Sequence, residues 1–510
     1  MNAALNRPGL KPEVHDSGKD FRDCPPGNRA GIPVLMDFAG LCAAVSGRAF
    51  GPGLGQPGFG SVCIDSRKAK PGSLFAALAG SVQDGHRYVE AAFKAGASCA
   101  LVECSKLEDS VLGLKEAAQR YGRVLVAVKD SLRALQDAAA AYLEQFPNLV
   151  KIGITGSSGK TTTKEIAAAI IGQEMETVTN PLNLNSETGL PLAVFAVRDF
   201  HRAGIFELGM NRKQEIAELA GVLKPHIALI TNIGLSHIGK IGSFRGIALE
   251  KKQIFRCQNE GDLALIPSDC EFRDVLAEGL KGIPRFYGPE SLEALGPVRD
   301  LGLSGSEITW AGEKVRFRLP GKHNLADAVA AIAIAREIGA GDAAIRRGLE
   351  SVRPLFGRSE IFTGDMTVIR DCYNANPEST AAAVDFCDAL EYPGRKVYVL
   401  GSMLELGDAS AAAHRELARA LTRSAADMVF LYGGEMEQAA AVLSENRGNA
   451  AGRKPVRFFH TNNMDELSAG LGEYVEPGDL VLVKGSRGCA LERLDPVLLG
   501  GTERGGGICF

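Results

Sequence analysis

No run of apolar residues in this 510-residue chain approaches the roughly 18 needed to cross a bilayer as a helix. Strong charge of one sign is missing too: 57 Lys and Arg stand against 61 Asp and Glu, a formal net charge of -4. That balance removes any bulk electrostatic case for nucleic acid or an anionic membrane as partner, and leaves an anion site to local groups. The eleven cysteines stand singly, and none forms a CxxC pair. Neither a zinc site nor a disulfide framework is therefore indicated, and isolated thiols fit a reducing cytoplasm. Residues 1–32 mix Pro, Gly, Asp, Lys and Arg without an apolar h-region, so they read as a flexible extension and not a secretory signal. Internal repeats and low-complexity tracts are also lacking.

What is present is the composition of an ordinary globular protein, 45% hydrophobic and 23% charged, at a length that predicts two to four domains. From Val34 to Leu143, short apolar strands (Ser61–Ile64, Ser73–Ala79, Ala100–Glu103, Val124–Val128) alternate with an amphipathic helix at His86–Ala95. A second unit starts near Val150, with strands at Lys151–Thr155, Ala203–Glu207, Ile227–Thr231 and Leu263–Ile266. Helices fall at Thr161–Gly172, Phe244–Phe255 and Asn324–Ile338. A third starts near Gly357, with strands at Met366–Asp371, Lys396–Leu400, Met428–Leu431, Arg457–His460 and Leu480–Val483 separated by helices. This alternation predicts an α/β protein of three domains: an α/β N-terminal domain (33–147), a central doubly wound, mostly parallel sheet (148–354) and a Rossmann-like C-terminal domain (355–510).

Chemistry first becomes legible after Thr155. There Gly156, Ser157, Ser158, Gly159, Lys160, Thr161 and Thr162 join a strand to a helix. Backbone N–H groups and the helix N-terminus of such a loop face an anion, Lys160 reaches the outer phosphates, and the Thr161 hydroxyl can join a magnesium shell. The loop departs from GxxxxGK[ST], because Ile154 stands where the first glycine is expected. A bare strand-to-helix turn is the alternative, and Lys-Thr in this register argues against it. ATP is thus the expected ligand.

Three further residues lie downstream in the same unit. Glu207 ends an apolar strand, His237 follows the strand and turn Ile227–Gly234, and Lys251 lies on the helix leading to Phe255. Ligands of doubly wound sheets bind beyond the carboxyl ends of strands. Glu207 and His237 occupy such ends, so both can face phosphates and hold Mg2+. Singly, each reads as a surface Glu or a satisfied His; together, after a phosphate loop, they read as a site.

In order, these segments resemble the Mur ligase family, whose phosphate loop has the compact form Gly-x-x-Gly-Lys-Thr. The likeness extends to Glu207-Leu-Gly-Met-Asn211, to Asn232-Ile-Gly-Leu-Ser-His237 and to Gly321-Lys-His323-Asn324. It implies magnesium at Thr161, Glu207 and His237, two ions in all, and adenine contacts from His323 and Asn324. Lys251 matches a lysine that members carbamylate with CO2, where the carbamate also serves the metal; Lys252 beside it leaves the register open by one residue.

Within the family the likeness is greatest to members that add D-alanyl-D-alanine to UDP-N-acetylmuramoyl tripeptide. It rests on Asn183-Leu-Asn185-Ser186-Glu-Thr-Gly189-Leu-Pro191, Asp371-Cys-Tyr373-Asn374-Ala-Asn376-Pro377, Gly401-Ser-Met-Leu-Glu405-Leu-Gly407 with His414, and Val483-Lys-Gly-Ser-Arg487. Asp65-Ser66-Arg67 and Asp84-Gly85-His86 resemble the nucleotide-sugar-binding domain. The resemblance therefore implies an ATP-dependent ligase with an acyl-phosphate intermediate, cytoplasmic and monomeric. Lys160, Glu207, His237 and Lys251 would be catalytic. Arg358 and Asp371 would contact ATP, and Ser66, Arg67, Asn183, Asn185, Ser186, Tyr373, Asn374 and Asn376 would contact substrate. Without it, the favoured reading of Tyr373 to Pro377 is an ordinary strand-to-helix turn with an Asn cap. Ser402 stands where an acidic residue is common, and Asp327 where Asn is common. A folylpolyglutamate synthetase, a neighbouring Mur ligase or a passive ATP binder are the competing readings.

Overall fold

The computed structural model describes residues 34–80, 83–181, 183–445 and 456–500. The extension expected at residues 1–32 lies outside them. Four sheets organise three α/β units. The first sheet runs in the order Arg48–Phe50, Val124–Val128, Cys99–Glu103, Ser73–Ala76 and Ser61–Cys63, and only Arg48–Phe50 is antiparallel to its neighbour. Its middle strands are continuous apolar runs because both faces are covered. The strand from Ser73 is shorter than its sequence suggests, since the chain turns at Leu78, whose carbonyl accepts from Gly85 N at 2.8 Å.

The helix Ser131–Leu143, capped by the Asp130 carboxylate, ties this unit to the next. Tyr142 donates its hydroxyl to Val197 O at 2.7 Å, and Gln136 Nε2 donates to Glu187 O at 3.1 Å. The Phe195 ring packs 5.2 Å from Tyr142 and 6.1 Å from Phe59. The two units thus share one apolar core, in which each fully buried Leu, Val or Phe contributes about 1.5–3 kcal/mol relative to exposure.

The central sheet has six parallel strands in the order Ile283–Tyr287, Leu263–Pro267, Ile227–Ile230, Val150–Thr155, Ala203–Glu207 and Thr177–Thr179. Its first strand lies between later ones, so a topological switch point falls at the carboxyl end of Val150–Thr155. Helices Lys160–Ile171, Lys322–Glu337 and Asp342–Ser351 pack on one face. A small antiparallel sheet, Leu295–Asp300, Ser306–Trp310 and Glu313–Phe317, adds Ile308, Trp310, Val315 and Phe317 to that core.

The third sheet of the α/β kind orders Glu360–Thr363, Thr367–Arg370, Leu480–Lys484, Lys396–Gly401, Met428–Tyr432 and Arg457–Thr461. All its pairs are parallel except the antiparallel hairpin from Glu360 at its edge. No helix among the described residues is long and apolar enough to cross a membrane.

Candidate active site

The chain leaves the strand Val150–Thr155 at the switch point and turns through Gly156 to Gly159 into the helix Lys160–Ile171. Gly159 has φ 76°, and a Cβ there would lie 2.0 Å from Asp327 Oδ1, so both backbone and space demand glycine. The loop is braced from behind by the next strand's exit. Asn232 Oδ1 accepts from Ser157 N and Ser158 N at 3.1 and 3.0 Å, and Thr231 donates to Ser158 O at 2.6 Å. Lys160 Nζ folds back to donate to Gly156 O at 2.9 Å, and burial pulls its pKa below the usual lysine range.

Thr161 opens the helix and donates its hydroxyl to Glu207 Oε2 at 2.6 Å; the other Glu207 oxygen accepts from Asn185 Nδ2 at 2.6 Å. Behind Glu207 sits the fully buried Asn180. Its Oδ1 accepts from Glu207 N at 2.9 Å, its Nδ2 donates to Glu207 O at 3.1 Å, and Lys164 Nζ donates to Asn180 O at 2.5 Å. The carboxylate is thereby locked beside the phosphate loop. From the third unit, Arg358 Nη2 donates to Thr161 Oγ1 at 3.0 Å, and its guanidinium lies 4.1 Å over the Tyr373 ring.

His237 is held in the left-handed region, φ 65°, with Nδ1 2.8 Å from Glu405 Oε2. In this geometry the contact is close but is not an aligned hydrogen bond. Burial depresses the His237 pKa; the Glu405 carboxylate opposes that effect, and Lys160 and Lys251 add to it. Lys251 is 1% exposed and forms no ion pair with a carboxylate among the described residues. Its pKa is driven well below the ordinary value, first by burial and then by the Lys160 charge. Lys252 points elsewhere: its Nζ donates to Val275 O and Glu278 O at 2.7 and 2.6 Å, fastening two backbone carbonyls. Of the two lysines, Lys251 is thus the one that feels the charge of Lys160 of the phosphate loop.

No three His, Cys, Asp or Glu side chains converge on one point among the described residues. A carboxylate, a hydroxyl and one imidazole beside a phosphate loop suit Mg2+, which takes one or two carboxylates and completes its shell with phosphates and water.

Three family models match in chain order: "Mur ligase family, catalytic domain" over residues 59–143, "Mur ligase middle domain" over 154–335, and "Mur ligase, glutamate ligase domain" over 357–487. A curated UDP-N-acetylmuramoyl-tripeptide–D-alanyl-D-alanine ligase of Treponema pallidum is 42% identical over 465 residues, 91% of this chain and 99% of its own. The chain belongs to the Mur ligase family. A crystal structure of MurF from Acinetobacter baumannii, 28% identical, superposes with a TM-score of 0.78 over 91% of this chain and 98% of that one. The MurF ligase of Thermotoga maritima in complex with ADP, 25% identical, gives 0.71 over 86% and 96%.

In this Mur ligase the remaining expected residues fall into groups. Asn324, buried, donates from Nδ2 to Pro320 O at 2.7 Å and to Ser359 Oγ at 3.2 Å, and His323 Nε2 lies 3.4 Å from the same hydroxyl. Asp371 Oδ1 accepts from Ser359 N at 3.2 Å, and its Oδ2 pairs with the buried Lys484 at 2.8 Å. These four side chains of two units therefore meet around Ser359. Asn376 caps the helix Pro377–Ala389 through Oδ1, while its Nδ2 donates to Ser236 Oγ at 2.5 Å. Both ends of that amide are engaged, as a cap and as a clasp between units. Asn374 and Asn183 are exposed, and Ser186 Oγ accepts from Gly189 N at 3.2 Å at the start of a short helix. Ser66 and Arg67 form a turn far along the first sheet, where the exposed Arg67 pairs with Asp65 at 2.7 Å.

Several residues that organise the site carried no role in the sequence reading: Asn180, Lys164, Asn232, Ser359 and Glu405. Asp327 also touches the loop, 3.4 Å from Thr163 Oγ1, and burial raises its pKa well above the carboxylate range. Its sequence signals are its place as a polar residue in the otherwise apolar run Ala326–Ala335 and as an Asp where Asn is common in the family.

Proposed function

We propose that this Mur ligase uses ATP to join D-alanyl-D-alanine to UDP-N-acetylmuramoyl tripeptide, forming the UDP-muramoyl pentapeptide precursor of peptidoglycan. The observation that carries the reading is the reach of Arg358 from the C-terminal unit to Thr161 of the phosphate loop, an arrangement that would bring a second substrate beside ATP phosphates. The choice of amine rests on the near-full-length likeness to ligases of that name.

Residues 33–147 are assigned to the UDP-sugar peptide, 148–354 to ATP, and 355–510 to the unit that closes over both. The tripeptide's terminal carboxylate attacks the γ-phosphorus of ATP, and ADP leaves. The amine of D-alanyl-D-alanine then attacks the carbonyl carbon of the acyl phosphate, loses a proton, and phosphate departs with the bridging oxygen. Thr161, Glu207 and His237 would hold magnesium, two ions in all, which supplies charge neutralisation at the phosphates. Lys160 adds a positive charge at the outer phosphates, where charge develops during transfer. His323 and Asn324 would meet adenine, Arg358 and Asp371 the nucleotide, and Ser66, Arg67, Asn183, Asn185, Ser186, Tyr373, Asn374 and Asn376 the substrates. Lys251, whose pKa is lowered by burial and by Lys160, would add CO2 at Nζ as the neutral amine, lose a proton and become an anionic carbamate. A cytoplasmic monomer completes the reading.

The test is phosphate release from ATP. Release is expected only with both UDP-tripeptide and D-alanyl-D-alanine present. Strong turnover with another amine, or none with this pair, overturns the assignment. A series of tripeptides differing at position three then identifies the preferred diamino acid.

A further inference from the structure

The C-terminal unit grips one short stretch of the central unit, Leu235 to Lys240. Glu378 Oε1 accepts from Leu235 N at 2.7 Å, and Asn376 donates to Ser236. Glu405 reaches His237 at 2.8 Å and Lys240 at 3.8 Å. Backbone meets backbone next to them: a Cβ on Gly239 would lie 2.6 Å from Gly407 N.

The loop bearing Glu405 is itself rigidly held. His414, fully buried, accepts from Met403 N at Nε2, 3.1 Å, and donates from Nδ1 to Ser410 O at 2.8 Å. Ser486 Oγ accepts from Leu404 N at 2.9 Å. Directly after these two anchored residues Glu405 adopts φ 65°, the same left-handed conformation as His237 opposite. Non-glycine residues keep that conformation where their surroundings over-determine it, and such positions cluster at functional sites. Here two of them face each other across a domain boundary, at the edge of the phosphate loop.

We propose that Glu405 is a positioning residue that couples closure of the C-terminal unit to the readiness of His237. On closure its carboxylate takes the Nδ1–H of the imidazole, a small ring rotation bringing donor and acceptor into line. The proton is thereby fixed on Nδ1, and the Nε2 lone pair is left for the nucleotide-bound metal. His237 can hold metal in this orientation only when the third unit, and with it Arg358, is seated. The proposal rests on the ligase reading, in which His237 is a metal ligand.

The test is Mn2+ binding, read from the signal of free Mn2+ by electron paramagnetic resonance, with a non-hydrolysable ATP analogue and UDP-tripeptide present. Glu405→Ala should weaken Mn2+ binding by about 10- to 100-fold, the usual cost of losing a partner behind a metal ligand. Glu405→Gln keeps an acceptor for the ring and should recover most of that loss. Thermal melting should stay unchanged in both, because the side chain is 42% exposed and its ion pair adds little to stability. Wild-type Mn2+ affinity in Glu405→Ala, or equal losses in the two variants, overturns the proposal. If instead the wild-type enzyme turns over no substrate pair, the ligase reading falls, whatever the Mn2+ series shows.

Discussion

Lys251→Ala is expected to lose about 10²- to 10³-fold in turnover, as when one preorganised charge of an active site is removed, and to regain part of it with short-chain carboxylic acids. Lys251 is 1% exposed, and its amine is pushed toward neutrality by burial and by Lys160. A neutral amine in that position is a nucleophile toward CO2, whereas an ammonium is not. Conversion to a carbamate would exchange that neutral amine for an anion that a metal ion and Lys160 could neutralise. Alanine leaves a gap of the size of the lost chain, into which acetate or formate can place the same charge. Lys252→Ala is the control. Lys252 fastens Val275 O and Glu278 O on the far side of the helix end, so its loss should affect stability and spare turnover. A fully active Lys251→Ala enzyme, or one that ignores added carboxylates, contradicts the carbamate role.

Lys160→Met should lower kcat by about 10²- to 10³-fold, or about 2.7–4 kcal/mol of transition-state stabilisation. Its Nζ lies 2.9 Å from Gly156 O, within the loop where the proposal places the phosphates. Methionine preserves the packing of the stem, so the loop should keep its shape and the loss should be purely electrostatic. The KM for the UDP-tripeptide should barely move, because that substrate is assigned chiefly to residues 33–147. A kcat within threefold of wild type, or a loss confined to KM for the tripeptide, would remove Lys160 from the phosphate-transfer step.

Legibility in the sequence followed the range of the interactions. Parallel strands such as Val124–Val128 and Leu480–Lys484 are buried on both faces, and show as the unbroken apolar runs Val124–Val128 and Leu480–Val483. The strands Ser306–Trp310 and Glu313–Phe317 escaped notice because only alternate residues, Ile308, Trp310, Val315 and Phe317, turn inward. Charged neighbours mask that pattern. The phosphate loop was readable since its residues are consecutive and its chemistry is local. Asn232 and Asn180 were not, because they act on residues 75 and 27 positions away in the chain. Tyr373 to Pro377 left a cap and a substrate contact open, and the structure shows Asn376 making the cap. Glu405 lay within a segment marked only by resemblance, and its partner on the other side of a domain boundary could not be read from spacing.

The central claim is that ATP activates the tripeptide's carboxylate as an acyl phosphate. It is tested most directly by tracing oxygen. The tripeptide, labelled with ¹⁸O in both oxygens of its terminal carboxylate, is turned over with ATP and D-alanyl-D-alanine, and the released phosphate is analysed by mass spectrometry. One labelled oxygen in each phosphate, with the other retained in the new amide, is the predicted result. Unlabelled phosphate released alongside the pentapeptide would contradict it.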